Sequence, residues 1–224
     1  MPSFLLQRCI VLLIGLTILA FGVALSIHSH LGTSPISSIP YSFSYFIPLS
    51  VGTITILMHV IFVLLQMAIL GKDFHWLQWS QLLLGIFFGV VLDIILYFTQ
   101  TWQFDHYLIQ LSLSLLSCLL TAIGICFMVK AKLLLLSVDG FYQALVKRFG
   151  YEMGNCKTIG DCIMVAIAAL GSFLMLNEVV GVREGTVITA LLVGSILKVI
   201  RPYFDFINFD QAQTSQSTTP DLTK

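Results

Sequence analysis

Long unbroken runs of apolar residues, separated by short polar segments, dominate this chain. Six runs are long enough to cross a bilayer, whose hydrocarbon core needs about 20 helical residues. We predict spans at residues 9–27, 51–70, 79–101, 107–129, 159–177 and 185–200. Because a backbone in lipid must satisfy its own hydrogen bonds, each span is expected to be an α-helix.

Composition agrees with a membrane environment. Hydrophobic residues make up 58% of the 224 positions and charged residues only 10%, which is too little charge to cover a soluble domain. The formal net charge is zero, so no nucleic-acid partner is indicated. The predicted fold class is an all-α polytopic membrane protein with the lipid bilayer as its main partner, and the sequence does not determine the oligomeric state.

The first span could also be interpreted as a signal peptide, because Arg8 precedes it and Ala24-Leu-Ser26 loosely resembles a cleavage site. Its apolar run is longer than a usual signal core and long enough to span. We therefore expect this helix to be retained.

Two segments are too short and too polar to span. The first, residues 34–47, begins with Ser34 before Pro35 and also contains Pro40, and the second, residues 137–149, begins at Ser137 and contains Asp139. Both begin with helix-start signals, so we predict two short helices that are either interfacial or re-entrant. The tail at 205–224 is rich in Gln, Ser and Thr and is predicted to be disordered and cytoplasmic.

Basic residues favour six spans over eight. With six spans and a cytoplasmic N-terminus, ten of the eleven Lys and Arg residues lie inside and only Arg183 lies outside. Counting both short segments as spans would give a weaker split of seven to four. The positive-inside rule therefore predicts both termini in the cytoplasm.

The chain also resembles itself at an offset of about 105 residues. Four small or polar positions of the third span match four positions of the sixth at this constant offset: Gln81, Gly85, Gly89 and Asp93 match Thr186, Ala190, Gly194 and Lys198. We predict two three-helix repeats, at residues 1–106 and 107–204. Since three is odd, the second repeat enters the membrane from the opposite side, as in many secondary transporters.

Three stretches carry a resemblance to a known group: residues 22–35 (GVALSIHSHLGTSP), Gly52-Thr53, and residues 85–93 (GIFFGVVLD). They resemble the YczE/YitT group of bacterial membrane proteins, in its short YczE form. The second half departs from the pattern, because Leu133–Leu136 replaces the Leu-Gly and Pro of the first copy. The resemblance implies a bacterial inner-membrane protein but no substrate.

Asp93 is the strongest candidate functional residue, because a carboxylate inside an apolar span costs about 2.5–3.5 kcal/mol on insertion scales. It is expected to face a cavity or a partner, or to be protonated. Either it serves in substrate contact or proton coupling, or it lies at the interface and contacts headgroups. His59 and Gln66 lie inside the second span. Either they form ordinary interhelical hydrogen bonds, or His59 shares a proton relay with Asp93.

Further candidates are weaker. Ser34 and Ser37 lie at the start of the first short helix, where they either cap it or receive an anionic solute group. Lys198 lies close enough to its helix end to reach the headgroups. Gly85, Gly89, Ala190 and Gly194 form small-x-x-x-small patterns, which predict close helix packing.

The chain contains no nucleotide-binding, zinc-protease or nucleophile-elbow motif, and the scattered cysteines form no metal pattern. We expect no enzyme, cofactor or metal. The first functional hypothesis is a permease-like transporter of a small polar solute. The alternative is a non-transporting membrane factor that binds or stabilises a partner.

Overall fold

The protein is described by a computed structural model covering residues 2–204, with side chains from Leu5. The described part contains eight α-helices and three short 3-10 turns. The helices are α1 (Pro2–His28), α2 (Pro35–Phe43), α3 (Val51–Leu70), α4 (Ser80–Thr99), α5 (Tyr107–Ala131), α6 (Ser137–Phe149), α7 (Met153–Leu176) and α8 (Glu184–Ile200). The predicted tail at 205–224 lies outside the described residues.

Six of these helices are long and apolar enough to cross a membrane, which confirms the predicted all-helical membrane fold. The six are α1, α3, α4, α5, α7 and α8. The largest differences from the sequence prediction are at two helix starts: α1 begins at Pro2 rather than at residue 9, and α7 begins at Met153 rather than at residue 159. The polar residues of the first two turns of α7 continue the helix beyond the apolar run, because hydropathy marks the lipid-facing stretch and not the helix end.

Neighbouring spans pack antiparallel through glycine. A Cβ on Gly15 of α1 would lie 3.0 Å from the Gly124 carbonyl of α5, and one on Gly22 would lie 3.0 Å from the Thr121 amide. As α1 advances, its contacts move backward along α5, so the two helices run in opposite directions. This close approach is the packing expected where small residues face each other in lipid.

We call the end of the bundle where α1, α4 and α7 begin the near end, and the end where α3, α5 and α8 begin the far end. The short helix α2 follows α1 at the far end, and α6 follows α5 at the near end. The two halves therefore place equivalent elements at opposite ends of the bundle, as an inverted repeat requires.

Contacts between the halves and within each half follow the same two-fold pattern. Helix α2 packs on α7 as α6 packs on α3, and α1 packs on α4 as α5 packs on α8. One pair breaks the pattern, because α3 packs extensively on α4 whereas α7 and α8 hardly touch. The second half is thus more open than the first.

This opening makes the two predicted packing faces differ. The Gly85 and Gly89 face of α4 is filled by α3, since a Cβ on Gly85 would lie 2.8 Å from His59 and one on Gly89 would lie 2.6 Å from the Gly52 carbonyl. The equivalent Ala190 and Gly194 of α8 are exposed, and nothing lies within 4 Å of a Cβ on Gly194. Within the described part of the chain no helix covers this face of α8, because α7 does not approach it, so close packing at Ala190 and Gly194 stays a prediction.

The short helix α6 begins inside the bundle. The Ser137 hydroxyl contacts His59, which lies about 16 Å from the end of α3 at 1.5 Å per residue. The non-helical residues 132–136 can span about the same distance when extended. The chain therefore re-enters the bundle from the near end and returns along α6, which decides between the interfacial and re-entrant alternatives for this segment.

The start of α2 also reaches the interior. Ile36 and Ile39 pack against a buried cluster that contains Met58 of α3, Val138 of α6 and Met164 of α7. Both short helices thus contribute their first turns to one central cluster.

Candidate functional site

One cavity between the described helices opens at the near end, and we call it the larger cavity because it exceeds the far-end cavity described below. Its volume is about 540 Å³, within the range of small-molecule sites. It lies between the end of α3, the start of α4, and α6. The residues that line it are mostly polar at the mouth and small or amide-bearing at the inner end: Leu70, Asp73, His75, Gln78, Gln81, Gly140, Gln143, Ala144, Val146, Lys147 and Met153.

Two buried glutamines meet behind the inner end of this cavity. The Nε2 group of Gln66 donates to Gln81 Oε1 at 3.0 Å and to the Ser137 carbonyl at 2.8 Å. The Oε1 atom of Gln66 is buried and has no hydrogen-bond partner among the described residues. A buried acceptor without a donor costs about 1–3 kcal/mol, and Gln66 itself does not line the cavity.

Gly140 allows the two amides to meet α6. A Cβ at this position would lie 2.8 Å from Gln81 Oε1 and 2.9 Å from both Gln66 Oε1 and Gln81 Nε2. No side chain other than hydrogen fits between the helix and these atoms. The glycine therefore forms the floor of the cavity together with Gln81, and Gln66 lies directly behind them.

His59 is joined to the same cluster from the other side. Its Nδ1 atom lies 2.6 Å from the Ser137 hydroxyl oxygen, and its ring packs edge-on against Phe88. The side chain is only 2% exposed. Ser137 thus links His59 through its hydroxyl and Gln66 through its carbonyl, so the structure brings two of the predicted site residues together at the start of α6.

A second polar pair lies farther along α6. The Tyr142 hydroxyl donates to Asp161 Oδ1 of α7 at 3.2 Å. Burial, followed by the charge of Asp161, raises the pKa of Tyr142, so the hydroxyl stays protonated and remains a donor. Asp161 lies eight residues after the start of α7, so its carboxylate does not cap this helix but fastens it to α6.

A smaller cavity of about 200 Å³ lies toward the far end. It is lined by the end of α1, by Tyr41 and Tyr45 beside α2, and by the connection between α7 and α8: Ser26, Ile27, His30, Gly32, Thr33, Tyr41, Tyr45, Val179, Val180, Gly181 and Arg183. The Thr33 amide donates to the Gly181 carbonyl at 3.0 Å, and the Ser42 hydroxyl donates to the Val180 carbonyl at 2.5 Å. These bonds hold the segment around α2 against the second half.

The two cavities occupy equivalent places in the two halves. The larger lies between α6 and the connection from α3 to α4, and the smaller lies between α2 and the connection from α7 to α8. The repeat relates these elements pairwise, and Gln81 of the larger cavity corresponds to Thr186 beside the smaller. Thr186 is buried and its hydroxyl bonds to the Gly181 carbonyl at 3.4 Å.

Asp93 does not face either cavity. Its Oδ2 atom accepts from the Ser50 hydroxyl at 2.5 Å and its Oδ1 atom accepts from the Gly52 amide at 2.7 Å. The carboxylate therefore satisfies free donors at the far-end start of α3. Of the alternatives for Asp93, the described residues therefore show a partner rather than a cavity, because the donors at the helix start lie nearer. Its functional role stays a prediction.

The predicted relay between His59 and Asp93 is absent from the described residues for the same reason. Asp93 contacts Gly52, which lies about 10 Å before His59 along α3 at 1.5 Å per residue. Asp93 and His59 therefore bond to different partners at different depths of the bundle.

The remaining predicted site residues lie apart from the glutamine cluster. Ser34 is the N-cap residue of α2, but its hydroxyl donates to the Ser37 hydroxyl at 3.1 Å and accepts no bond from a backbone amide of the helix. Lys198 is exposed on α8. Ser34, Ser37 and Lys198 line neither of the two cavities.

Sequence reasoning missed Gln81, Ser137 and Gly140 as site residues. Gln81 was noted only for its place in the repeat, and Ser137 only as a helix start. A glutamine near the start of an otherwise apolar span, as Gln81 is, can be recognised from sequence as a candidate site residue. A single glycine in a short helix, as Gly140 is, cannot. Among the described residues, no three His, Cys, Asp or Glu side chains group where they could hold a metal ion.

Residues 6–202 match a sequence family described as a family of unknown function, DUF6198. No curated protein and no solved structure matches the chain. The family match does not bear on the resemblance to the YczE/YitT group, which stays a prediction. Because the match runs from α1 into the turn after α8, the chain belongs to the DUF6198 family.

Proposed function

We propose that this membrane protein is a permease-like transporter of a small polar solute. The solute would bind between the two halves, which would expose it alternately at the near and far ends. Inverted repeats with sites at the repeat interface are the usual architecture for this mechanism.

The observation that carries the proposal is the pair of cavities at opposite ends of the bundle. Each lies beside a short helix that starts in the interior, and the repeat relates one cavity to the other. Their volumes differ, at about 540 and 200 Å³. The described conformation thus corresponds to a near-open state in the proposed cycle. In the far-open state the near-end cavity would be the smaller of the two and the far-end cavity the larger.

The contacts between halves support such a change between the two states. Helix α6 of the second half packs on α3, and α2 of the first half packs on α7. A small rotation of one half against the other would change both contacts together. The hydrogen bonds from Thr33 and Ser42 to the connection after α7 would close the far end.

We further propose that the near end is cytoplasmic, in a bacterial inner membrane. Ten Lys and Arg residues lie in the described part, and Arg183 is the one at the far end. The other nine lie at or toward the near end: Arg8, Lys72, Lys130, Lys132, Lys147, Arg148, Lys157, Lys198 and Arg201. The positive-inside rule supports this orientation.

Solute uptake into proteoliposomes tests the transport proposal. The purified protein would be assayed with a panel of labelled small polar solutes, with and without a pH gradient. Gln143 lines the mouth of the larger cavity and is exposed. Gln143→Trp should block the mouth and strongly reduce uptake, whereas Arg148→Trp, on the same helix but outside the lining, should preserve it.

Equal uptake by both variants would contradict a route through this cavity. If no solute of the panel enters wild-type proteoliposomes faster than empty liposomes, the alternative of a non-transporting membrane factor is favoured.

A further inference from the structure

We propose that the protein has a second conformation in which α8 closes on α7 and Asp161 exchanges its bond to Tyr142 for an ion pair with Lys198. This deepens the proposed function, because the movement would displace Tyr142 together with α6, which lines the larger cavity. The inference rests on that function only for transport, and the ion pair itself can be tested without it.

The first observation is how the equivalent helices of the first half meet. Gly89 of α4 packs on Gly52 of α3, where a Cβ on Gly52 would collide with the Gly89 carbonyl oxygen and with the Asp93 carboxylate. Asp93 lies one turn beyond Gly89, and it accepts bonds from the Ser50 hydroxyl and the Gly52 amide. The start of α3 thus holds the polar group of the helix that packs on it.

The second half contains counterparts of these residues with complementary charges. Three sets of positions correspond between the halves, the first at an offset of 108 and the others at 105: residues 51–53 with 159–161, Gly89 with Gly194, and Asp93 with Lys198. If α8 met α7 as α4 meets α3, Lys198 would lie at the level of Gly160 and Asp161. A cation of α8 would then face a carboxylate of α7.

In the described conformation these two charged groups are apart. Helices α7 and α8 hardly touch, and Lys198 is exposed. Asp161 is half-buried and accepts from the Tyr142 hydroxyl at 3.2 Å. The charged groups near Asp161 in the described part of the chain are Lys157 and Asp139, which pair with each other at 3.5 Å. Asp161 therefore shares its nearest cation with a second carboxylate and is bonded to a neutral donor.

Closure of α8 would compensate both charges. Ionisable groups within spans are costly, and they usually face the bundle interior and pair with one another. Lys198 has a long side chain that reaches the headgroups in the described conformation and can turn to a carboxylate at the same level of a neighbouring helix. The small residues Ala190 and Gly194 would let the backbones of α8 and α7 approach closely, as the equivalent residues of α4 do on α3.

Tyr142 stabilises the described conformation against this closure. The Cβ direction of Gly52 points at α4, whereas the Cβ direction of Gly160 points at the ring of Tyr142. The ring thus fills the place that α8 would take beside Gly160, and its hydroxyl holds Asp161. Because Tyr142 belongs to α6, closure of α8 would displace one wall of the larger cavity.

Distances between spin labels test the second conformation without a transport assay. In a variant with all five native cysteines replaced, labels would be attached to Asn155→Cys and Val199→Cys, which are exposed near-end positions of α7 and α8. We expect two distances in proteoliposomes, of which the shorter belongs to the closed state. Lys198→Gln should abolish the shorter distance. Tyr142→Phe, which removes the competing donor and keeps the ring, should increase its share.

Matched variants separate the ion pair from general effects on α8. Ser195→Ala should keep the shorter distance, because the Ser195 hydroxyl bonds only to the Leu191 carbonyl of its own helix. Gly194→Leu should lose the shorter distance at an unchanged melting temperature, since leucine fits the open conformation and not the closed one. Exchange of the two charges, in Asp161→Lys with Lys198→Asp, should restore the shorter distance. If the exchanged variant does not fold, Lys198→Gln still decides, because Lys198 is exposed.

A single distance in both the wild type and Tyr142→Phe, or a shorter distance retained in Lys198→Gln, would each overturn the inference. Solute uptake by a protein that lacks the shorter distance would refute this closure and leave transport standing. A shorter distance that depends on Lys198, in a protein that transports nothing, would support the closure and refute transport.

Discussion

The Nδ1 atom of His59 lies 2.6 Å from the hydroxyl oxygen of Ser137, although the two residues are 78 positions apart. This bond joins the middle of α3 to the first residue of α6 and so fixes how deep the re-entrant helix begins. Both side chains are buried, and a polar group in that setting needs a partner.

Ser137→Ala should destabilise the protein by about 1 kcal/mol, because His59 would lose its partner inside the bundle. The measurement is unfolding in detergent. Ser112→Ala is the matched control, since the Ser112 hydroxyl donates only to the Leu108 carbonyl of its own exposed helix face. Equal stability of the two variants would mean that the His59 contact does not hold α6 in place.

Asp93→Ala should destabilise the protein by about 1–2 kcal/mol, within the range for loss of a helix cap. The lost contacts are those to the Ser50 hydroxyl and the Gly52 amide. Any uptake, and its dependence on pH, should be unchanged in the folded fraction. Asp105→Ala, at an exposed position between α4 and α5, serves as control. A pH dependence that disappears only in Asp93→Ala would restore a coupling role for this carboxylate.

Leucine substitutions should distinguish the two equivalent glycines of the repeat. Gly89→Leu should cost about 1–3 kcal/mol, because the side chain would press against the Gly52 carbonyl and Ile56. Gly194→Leu should be tolerated, because its neighbourhood is open. Thermal unfolding of both variants in the same detergent gives the comparison. A large loss in Gly194→Leu would show that another protein surface covers this face.

Cysteine labelling checks the orientation. In a variant with all five native cysteines replaced, a single cysteine would be placed at Tyr151 or at Val179, which are exposed at the near and far ends. An impermeant maleimide should label Val179→Cys on intact cells and Tyr151→Cys only after permeabilisation. The reverse pattern would place the N-terminus outside.

The sequence alone determined the six spans, because each depends on a local property, the length of an apolar run. It also indicated the repeat, since Gln81 and Thr186 keep their spacing to the small residues of their helices. It did not determine the start of α7, whose first turns are polar and hydrogen-bonded like the rest of the helix.

What only the tertiary structure decided is which polar groups meet. The cost of burying Asp93 could be inferred from its apolar surroundings, but its partners, Ser50 and Gly52, became visible only when α3 lay beside α4. Gln66, Gln81 and Gly140 lie on three helices and meet only because residues 132–136 re-enter the bundle. Hydropathy acts along the chain and can be summed from sequence, whereas hydrogen bonding acts across a few ångströms between segments and depends on their relative placement.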